Sequence, residues 1–298
     1  MLDHRINGRP PSGRIAYVDG RYVRHGDACV HVEDRGLQFA DSVYEVIPIS
    51  NSKLVDATPH LERLERSLGE ICIKMPMGRM SLSAILHETA RRNRLKEGLL
   101  YLQITRGVAK RDHAAPVNIS PTLIVTAKQT NTLAIELLRA DGVAVITTED
   151  IRWARCDIKS TALQPNVMAK TAARDKGAYE AWFVDEEGLV TEGSSTNAWI
   201  VGGDGSPITR SLRDNILGGV TRSILLEAMS QAGINVDERA FSLQEAYGAN
   251  EAFLSSASGG VLPVTQIDGR ALGDGKPGPI AKRMHALYQG LSLKKSHS

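Results

Sequence analysis

From Arg14 onward the apolar residues of this chain switch repeatedly between two spacings, every second position and every third or fourth. A strand repeats its face every two residues and a helix every 3.6, so such a chain folds as a mixture of sheets and helices. Arg14-Ile-Ala-Tyr-Val18, Asp19-Gly20 and Arg21-Tyr-Val23 predict a hairpin, because an Asp-Gly pair suits the tight turn between two β-prone runs. Val43 to Ile49 predicts a strand, and Pro48 puts it at an edge or leaves one side without a ladder partner. Leu61, Leu64, Leu68 and Ile71 predict a helix over Pro59 to Ile71, with Arg63 on the opposite, solvent-facing side. A second helix is expected from Ser81, as its N-cap, to Arg92. Leu99 to Thr105 and Thr122 to Thr126 read as strands.

The second half repeats the alternation. Strands are expected at Gly142 to Thr147, Glu180 to Val184, Leu189 to Thr191 and Ala198 to Val201. Helices are expected at Asn166 to Lys176, stopped by Gly177, and at Thr221 to Ala232, with Gly233 as its C′ glycine. Ser242-Leu-Gln-Glu245 fits a capping box, and a last amphipathic helix spans Ile280 to Leu291. The fold class is mixed α and β (α+β). Residues 1–13 are expected to be an extension, 14–127 a small α/β domain, 128–133 a polar linker and 134–298 a large α/β domain.

Composition bounds the function. Hydrophobic residues make up 42% and charged residues 23% of 298, enough to bury cores without covalent staples. Lys and Arg number 36 against 34 Asp and Glu, which gives no broad electrostatic footprint for nucleic acid or an anionic membrane. Cys29, Cys72 and Cys156 are widely spaced and form no C-x-x-C pair, which fits a reducing compartment. The polar segment Met1 to Gly13 lacks the apolar core of a secretion signal, and no apolar run approaches the ~18 residues of a membrane helix. A cytoplasmic protein is expected. There is no G-x-x-x-x-G-K-[ST], H-E-x-x-H or G-x-S-x-G, and the eight histidines do not cluster, so no metal site is expected.

Local signals remain. Ile216-Leu-Gly-Gly-Val-Thr221 sets two glycines before a helix, where free N–H groups and the helix dipole suit a phosphate. An ordinary loop entering a helix has the same composition. Lys159 follows a Trp-containing, partly apolar segment, and a desolvated lysine can bond an aldehyde cofactor. Most lysines are solvated surface charges, and on a strand Asp157 would share its face and hold it protonated. Val190-Thr-Glu192-Gly193 places a carboxylate where a strand meets a small-residue turn, a position equally open to an exposed loop glutamate. Arg106-Gly-Val-Ala-Lys-Arg111-Asp-His113 is a basic loop, either a surface patch or a carboxylate clamp.

Taken in order, Asp34-Arg-Gly-Leu-Gln-Phe-Ala-Asp-Ser-Val-Tyr-Glu-Val46, His60-Leu-Glu-Arg-Leu64, Arg111-Asp-His113, Asp157-Ile-Lys-Ser160, Thr191-Glu-Gly-Ser-Ser-Thr-Asn197 and Ile216-Leu-Gly-Gly-Val-Thr-Arg222 resemble the class IV, or fold type IV, aminotransferases. The likeness covers roughly residues 15–290 and is nearest to the D-amino acid branch. It implies two domains with pyridoxal 5′-phosphate in the cleft between them, a homodimer, and ping-pong exchange between D-amino acids and 2-oxo acids such as 2-oxoglutarate or pyruvate. It implies that Lys159 bonds the cofactor and that Glu192 partners the pyridine nitrogen. Arg63, Val220, Thr221, Ser256, Ala257 and Ser258 would hold the phosphate, and Leu217 would pack on the ring. Tyr44, Arg111 and His113 would hold the substrate carboxylate. Two features depart from the pattern. Ala257 stands where a phosphate-binding hydroxyl is expected, and Ala114-Ala115 follows His113 where a bulky residue often sits. Branched-chain, (R)-amine and aminodeoxychorismate-processing enzymes are rivals within the same fold. A catalytically silent pyridoxal-phosphate-binding protein is the rival outside catalysis.

Overall fold

The computed structural model describes residues 13–212 and 215–295, so all of the expected N-terminal extension but Gly13 lies outside it. The described chain divides into two compact units. One comprises the residues up to Asn131 together with Lys159–Ala162, and the other comprises Thr132–Ile158 and the residues from Leu163 onward.

The first unit contains β1 (Ile15–Val18), β2 (Arg21–Arg24), α1 (Arg35–Phe39), β3 (Ser42–Ser50), β4 (Lys53–Leu54), α2 (Ala57–Glu70), α3 (Arg79–Arg92), β5 (Gly98–Thr105) and β6 (Thr122–Gln129). Its strands form an antiparallel sheet ordered β2-β1-β6-β5-β3-β4. The expected hairpin is present, with Asp19 and Gly20 both at positive φ between β1 and β2. Period-two burial on β3 places Val43, Glu45, Ile47 and Ile49 inward. Helix α2 covers β3, while α3 packs on β1 and β6, which buries Leu61, Leu64, Leu68, Leu82 and Leu86. The Tyr44 N–H points away from β5 to Lys159, and Pro48 shares that side of the ladder, where a missing N–H is tolerated. Ser81 is not an N-cap: α3 starts two residues earlier with Gly78 in that role and no side-chain cap. Lys128 and Gln129 complete β6 and Thr132 opens a helix, leaving Thr130 and Asn131 between those elements.

The second unit contains α4 (Thr132–Asp141), β7 (Val143–Glu149), α5 (Gln164–Asp175), β8 (Glu180–Val184), β9 (Leu189–Gly193), β10 (Asn197–Val201), β11 (Pro207–Thr209), α6 (Val220–Gln231), β12 (Asp237–Glu238), β13 (Phe241–Ser242), α7 (Leu243–Gly248), β14 (Glu251–Ser256), β15 (Gly260–Ile267), β16 (Arg270–Ala271) and α8 (Pro279–Lys295). One sheet runs β12-β11-β10-β14-β15-β7-β8-β9-β13, with β16 on β15. Both of its faces are covered. Ala198, Ile200, Val145 and Leu254 pack on one side, while Trp199, Val201 and Phe253 meet α6 and α8 on the other. This explains why β10 reads as a continuous apolar run rather than an alternating one. The Ser242–Glu245 capping box forms, and Gly233 takes the left-handed conformation that ends α6. Among the described residues no helix is long and apolar enough to cross a membrane.

Candidate active site

The first unit sets Lys159 against the outer edge of β3. Ser160 bridges Val43, the Tyr44 N–H donates to the Lys159 carbonyl at 3.0 Å, and the Thr161 N–H donates to the Ser42 carbonyl at 3.1 Å. Ser67 of α2 accepts the Lys159 N–H at 3.3 Å. Backbone tethers on two elements therefore fix where this side chain starts. Its Nζ lies 4.1 Å from the centre of the Tyr44 ring, which stacks on Tyr101 at 5.6 Å. Residues 156–157 form a turn rather than a strand, and Asp157 pairs with Arg155 at 2.9 Å. The strand alternation that would bind Asp157 to the fate of Lys159 does not apply.

Arg63 does not face solvent; its side chain is only 12% exposed. The cause is Glu45, a carboxylate on the inward face of β3 with no exposed surface. A buried charge needs partners, and Arg63 supplies two N–H bonds to Glu45, at 2.8 and 2.7 Å, while His60 adds a third contact at 2.7 Å. Burial pushes the Glu45 carboxyl up, but the Arg63 charge and these hydrogen bonds outweigh it and hold the pKa at about 2. Burial draws the His60 pKa down despite Glu45. Arg63 is thus a guanidinium of fixed orientation.

The second unit holds Glu192 at the end of β9. Arg152 donates to its Oε1 at 2.5 Å, the Leu217 N–H to the same oxygen at 3.1 Å, and the Asn197 amide to Oε2 at 3.0 Å. Arg152 also grips Asp150 through Nε and NH2, at 2.9 and 2.7 Å. Burial pulls its pKa down, but Asp150 and Glu192 outweigh that and raise it. Asn197 donates as well to the Leu217 carbonyl at 3.0 Å, tying the loop before α6 to β10.

Helix α6 starts at Gly219 without a side-chain cap, with Val220 and Thr221 in its first turn. A Cβ at Gly219 would overlap the Asn197 side-chain oxygen, so only glycine lets the helix start this close to the carboxylate site. Ser256 ends β14, and Ala257 and Ser258 lie in the turn to β15. The Ser256 and Ser258 hydroxyls are 3.4 Å apart, and Ser256 accepts the Gly259 N–H. A shielded carboxylate beside an uncapped helix N-terminus fits a ring bearing a basic nitrogen and a phosphate. Among the described residues no cluster suits a metal ion.

Arg111 and His113 are exposed in the loop after β5, and the ring beneath them is Phe39 rather than Tyr44. Phe39 lies 5.0 Å from the Arg111 guanidinium and 5.5 Å from the His113 ring. Tyr44 is therefore adjacent to Lys159, and Leu217 to Glu192, while Arg111 and His113, expected together with Tyr44, are grouped on Phe39 instead. Sequence reasoning missed Glu45, His60, Arg152 and Asn197 as supporting residues. Glu45 did carry a signal, since a carboxylate between inward-facing Val43 and Ile47 requires a partner. Arg152 lies 40 residues from Glu192 and gave none.

A family model described as amino-transferase class IV matches residues 42–267. The D-alanine aminotransferase of Bacillus licheniformis is 38% identical over 275 residues, covering 92% of this chain and 96% of that protein. The Staphylococcus aureus (strain MSSA476) D-alanine aminotransferase is 36% identical over 275 residues, with coverage of 92% and 96%. Among solved structures, the branched-chain amino acid aminotransferase from Escherichia coli superposes with a TM-score of 0.85 at 24% identity, covering 94% of each chain, a likeness of fold. The Thermoproteus uzoniensis branched-chain aminotransferase with norvaline gives 0.84 at 28% identity, covering 94% of this chain and 95% of that one. With the family match spanning most of its length and relatives this similar end to end, the chain belongs to the class IV aminotransferases, enzymes of fold type IV.

Proposed function

We propose that this enzyme exchanges amino groups between D-amino acids and 2-oxo acids, pyruvate or 2-oxoglutarate, with pyridoxal 5′-phosphate as its cofactor. The observation that carries this reading is end-to-end similarity to D-alanine aminotransferases at 38% identity, against 24–28% for the branched-chain structures. The free thiols of Cys29, Cys72 and Cys156 support a cytoplasmic setting. The same reading includes a homodimer, which the class IV resemblance implies.

When bound, pyridoxal 5′-phosphate supplies an electron-withdrawing ring that acidifies the substrate Cα–H. In this reading Lys159 would be the residue that holds the cofactor's aldehyde, and its amine would be the base that takes the substrate Cα proton and the acid that returns it. Its backbone anchoring on β3 and Ser67 fixes where the side chain starts, with the amine 4.1 Å from the Tyr44 ring centre, and such positioning lowers a barrier. Glu192, oriented by the donors of Arg152 and Asn197, would hold a proton on the pyridine nitrogen. Val220 and Thr221 offer the phosphate backbone N–H groups at the start of α6, and Arg63 offers charge in the orientation Glu45 imposes. Leu217 would pack on the ring, and Ser256, Ala257 and Ser258 would lie at the phosphate end.

In this reading Arg111 and His113, grouped on Phe39, would hold the substrate carboxylate, with Tyr44 beside Lys159 as the third member the family resemblance implies. Clamping that group would orient the Cα–H bond and so select handedness. Arg111→Ala removes a charge-assisted contact worth about 1.5–3 kcal/mol, so kcat/KM for D-amino acids is expected to fall by about tenfold or more. Any slow reaction with (R)-amines, which lack the carboxylate, is expected to be spared. Steady-state kinetics on both substrate classes checks this. An Arg111→Ala enzyme as active on D-alanine as the parent would defeat the clamp assignment.

A further inference from the structure

In the loop from Arg106 to Pro121, residues 110–118 are exposed, yet the clamp reading requires two of their side chains to be held in place. Exposed loops are mobile unless tied. The structure supplies a tie from beneath. Arg35, on α1, is 4% exposed, and its guanidinium reaches three acceptors. Nε donates to Asp41 at 2.8 Å, NH1 to the Asp112 carbonyl at 2.6 Å, and NH2 to the His113 carbonyl at 3.1 Å. Two successive carbonyls held by one planar fork fix the peptide between Asp112 and His113.

Asp41 in turn takes the Nε and NH2 groups of Arg106, at 2.7 and 2.9 Å, so the base of the loop and its tip share one carboxylate. The Arg35 fork lies 4.7 Å from the Phe39 ring, the same ring that sits under Arg111 and His113. The Arg35 N–H also bonds the Gly107 carbonyl at 2.9 Å, and Asp34 bridges Val108.

We propose that Arg35 and Phe39 are positioning residues of the substrate-carboxylate loop, and that through Arg111 and His113 they determine how tightly the enzyme holds a substrate bearing a carboxylate. This rests on the reading of Arg111 and His113 as the clamp. Arg35 itself does not touch substrate; its donors are spent on Asp41 and the loop backbone. A lysine in its place keeps the charge near Asp41 but cannot hold two carbonyls in one plane. Leucine in place of Phe39 keeps apolar bulk but removes the aromatic face shared by two cations.

The test is steady-state kinetics with D-alanine, together with backbone hydrogen–deuterium exchange over residues 111–115, on the holoenzyme forms of Arg35→Lys, Phe39→Leu, Arg111→Ala and the Arg35→Lys/Arg111→Ala double variant. Arg35→Lys and Phe39→Leu are each expected to raise KM for D-alanine by about tenfold while kcat at saturation changes little, and to speed exchange in the loop. The double variant is expected to lose less than the product of the two single losses, because Arg35 acts partly through Arg111 and retains only its hold on His113 once Arg111 is gone. Phe39→Leu buries no orphaned charge, so it remains a test should Arg35→Lys fold poorly. Parental KM and exchange in both single variants, with Arg111→Ala impaired, overturns the positioning role and leaves the clamp standing. Additive losses in the double variant, or a fall in kcat without a change in KM, overturn it as well. A silent Arg111→Ala overturns the clamp reading and this proposal together.

Discussion

Lys159→Ala is expected to leave a folded protein that turns over at least about 10²–10⁴-fold more slowly, the range that general acid–base catalysis contributes. The fold should survive because the contacts that seat this segment are made by backbone. The Lys159 carbonyl accepts from Tyr44 and the Lys159 N–H donates to Ser67, and alanine keeps both. What disappears is the amine 4.1 Å from the Tyr44 ring centre. The loss should exceed that range if covalent capture of the cofactor is lost along with proton transfer, since one side chain is assigned both duties. Borohydride treatment of the holoenzyme followed by peptide mapping should label Lys159 in the parent and nothing in the variant. A label on another lysine would remove Lys159 from its role.

The second large effect is expected at Glu192. Glu192→Gln preserves shape but removes the negative charge that keeps a pyridine nitrogen protonated. Proton abstraction from the substrate Cα should slow by about 10²–10³-fold, the size seen when one electrostatic partner of a developing charge is deleted. Collapse of the site is not expected, because Arg152 keeps its two bonds to Asp150 and is not left as an unpaired buried charge. The amide of glutamine would also present a donor where Asn197 donates, so local rearrangement should be confined to Asn197 and Leu217. Single-turnover kinetics of the amino acid half-reaction measures the step. A rate near that of the parent would mean that another group protonates the ring.

Much of the fold was legible because local pattern and tertiary environment agreed. The Asp19-Gly20 hairpin, α2, α6 and the Ser242 capping box each follow from spacing or turn chemistry, and all four form. Where both faces of an element are covered, the pattern disappears. The run Glu251-Ala-Phe-Leu-Ser-Ser256 forms a central strand that is buried on both faces and was given no expectation from the sequence, because such a run has no alternation to read. Helix α4 was missed beside a stretch read as linker; it has no fully buried residue, only Ile135 and Leu138 packed against the core. The parallel pairing of β7 with β15 joins Val143 to Val264, a register that no local signal encodes.

The candidate site was legible in types and order but not in support. Lys159, Glu192, Arg63 and the α6 start were named from the resemblance, whereas helical periodicity alone turned Arg63 outward. The reversal comes from one buried carboxylate, Glu45, whose need for a counter-charge overrides the apolar stripe of α2. Arg152 and Arg35 act on groups 40 and 77 residues away in sequence, beyond the reach of any local reading.

The central claim, that this class IV enzyme works on D-amino acids, is tested most directly by mixing the cofactor-loaded enzyme with single D- and L-amino acids. The cofactor's absorbance is followed to its amine form in the absence of any 2-oxo acid. Rapid conversion with D-alanine or D-glutamate, and none on the same timescale with L-leucine, L-valine or L-glutamate, is the expected result. Conversion by the L-amino acids with none by the D-enantiomers would contradict it and move the chain to the branched-chain reading.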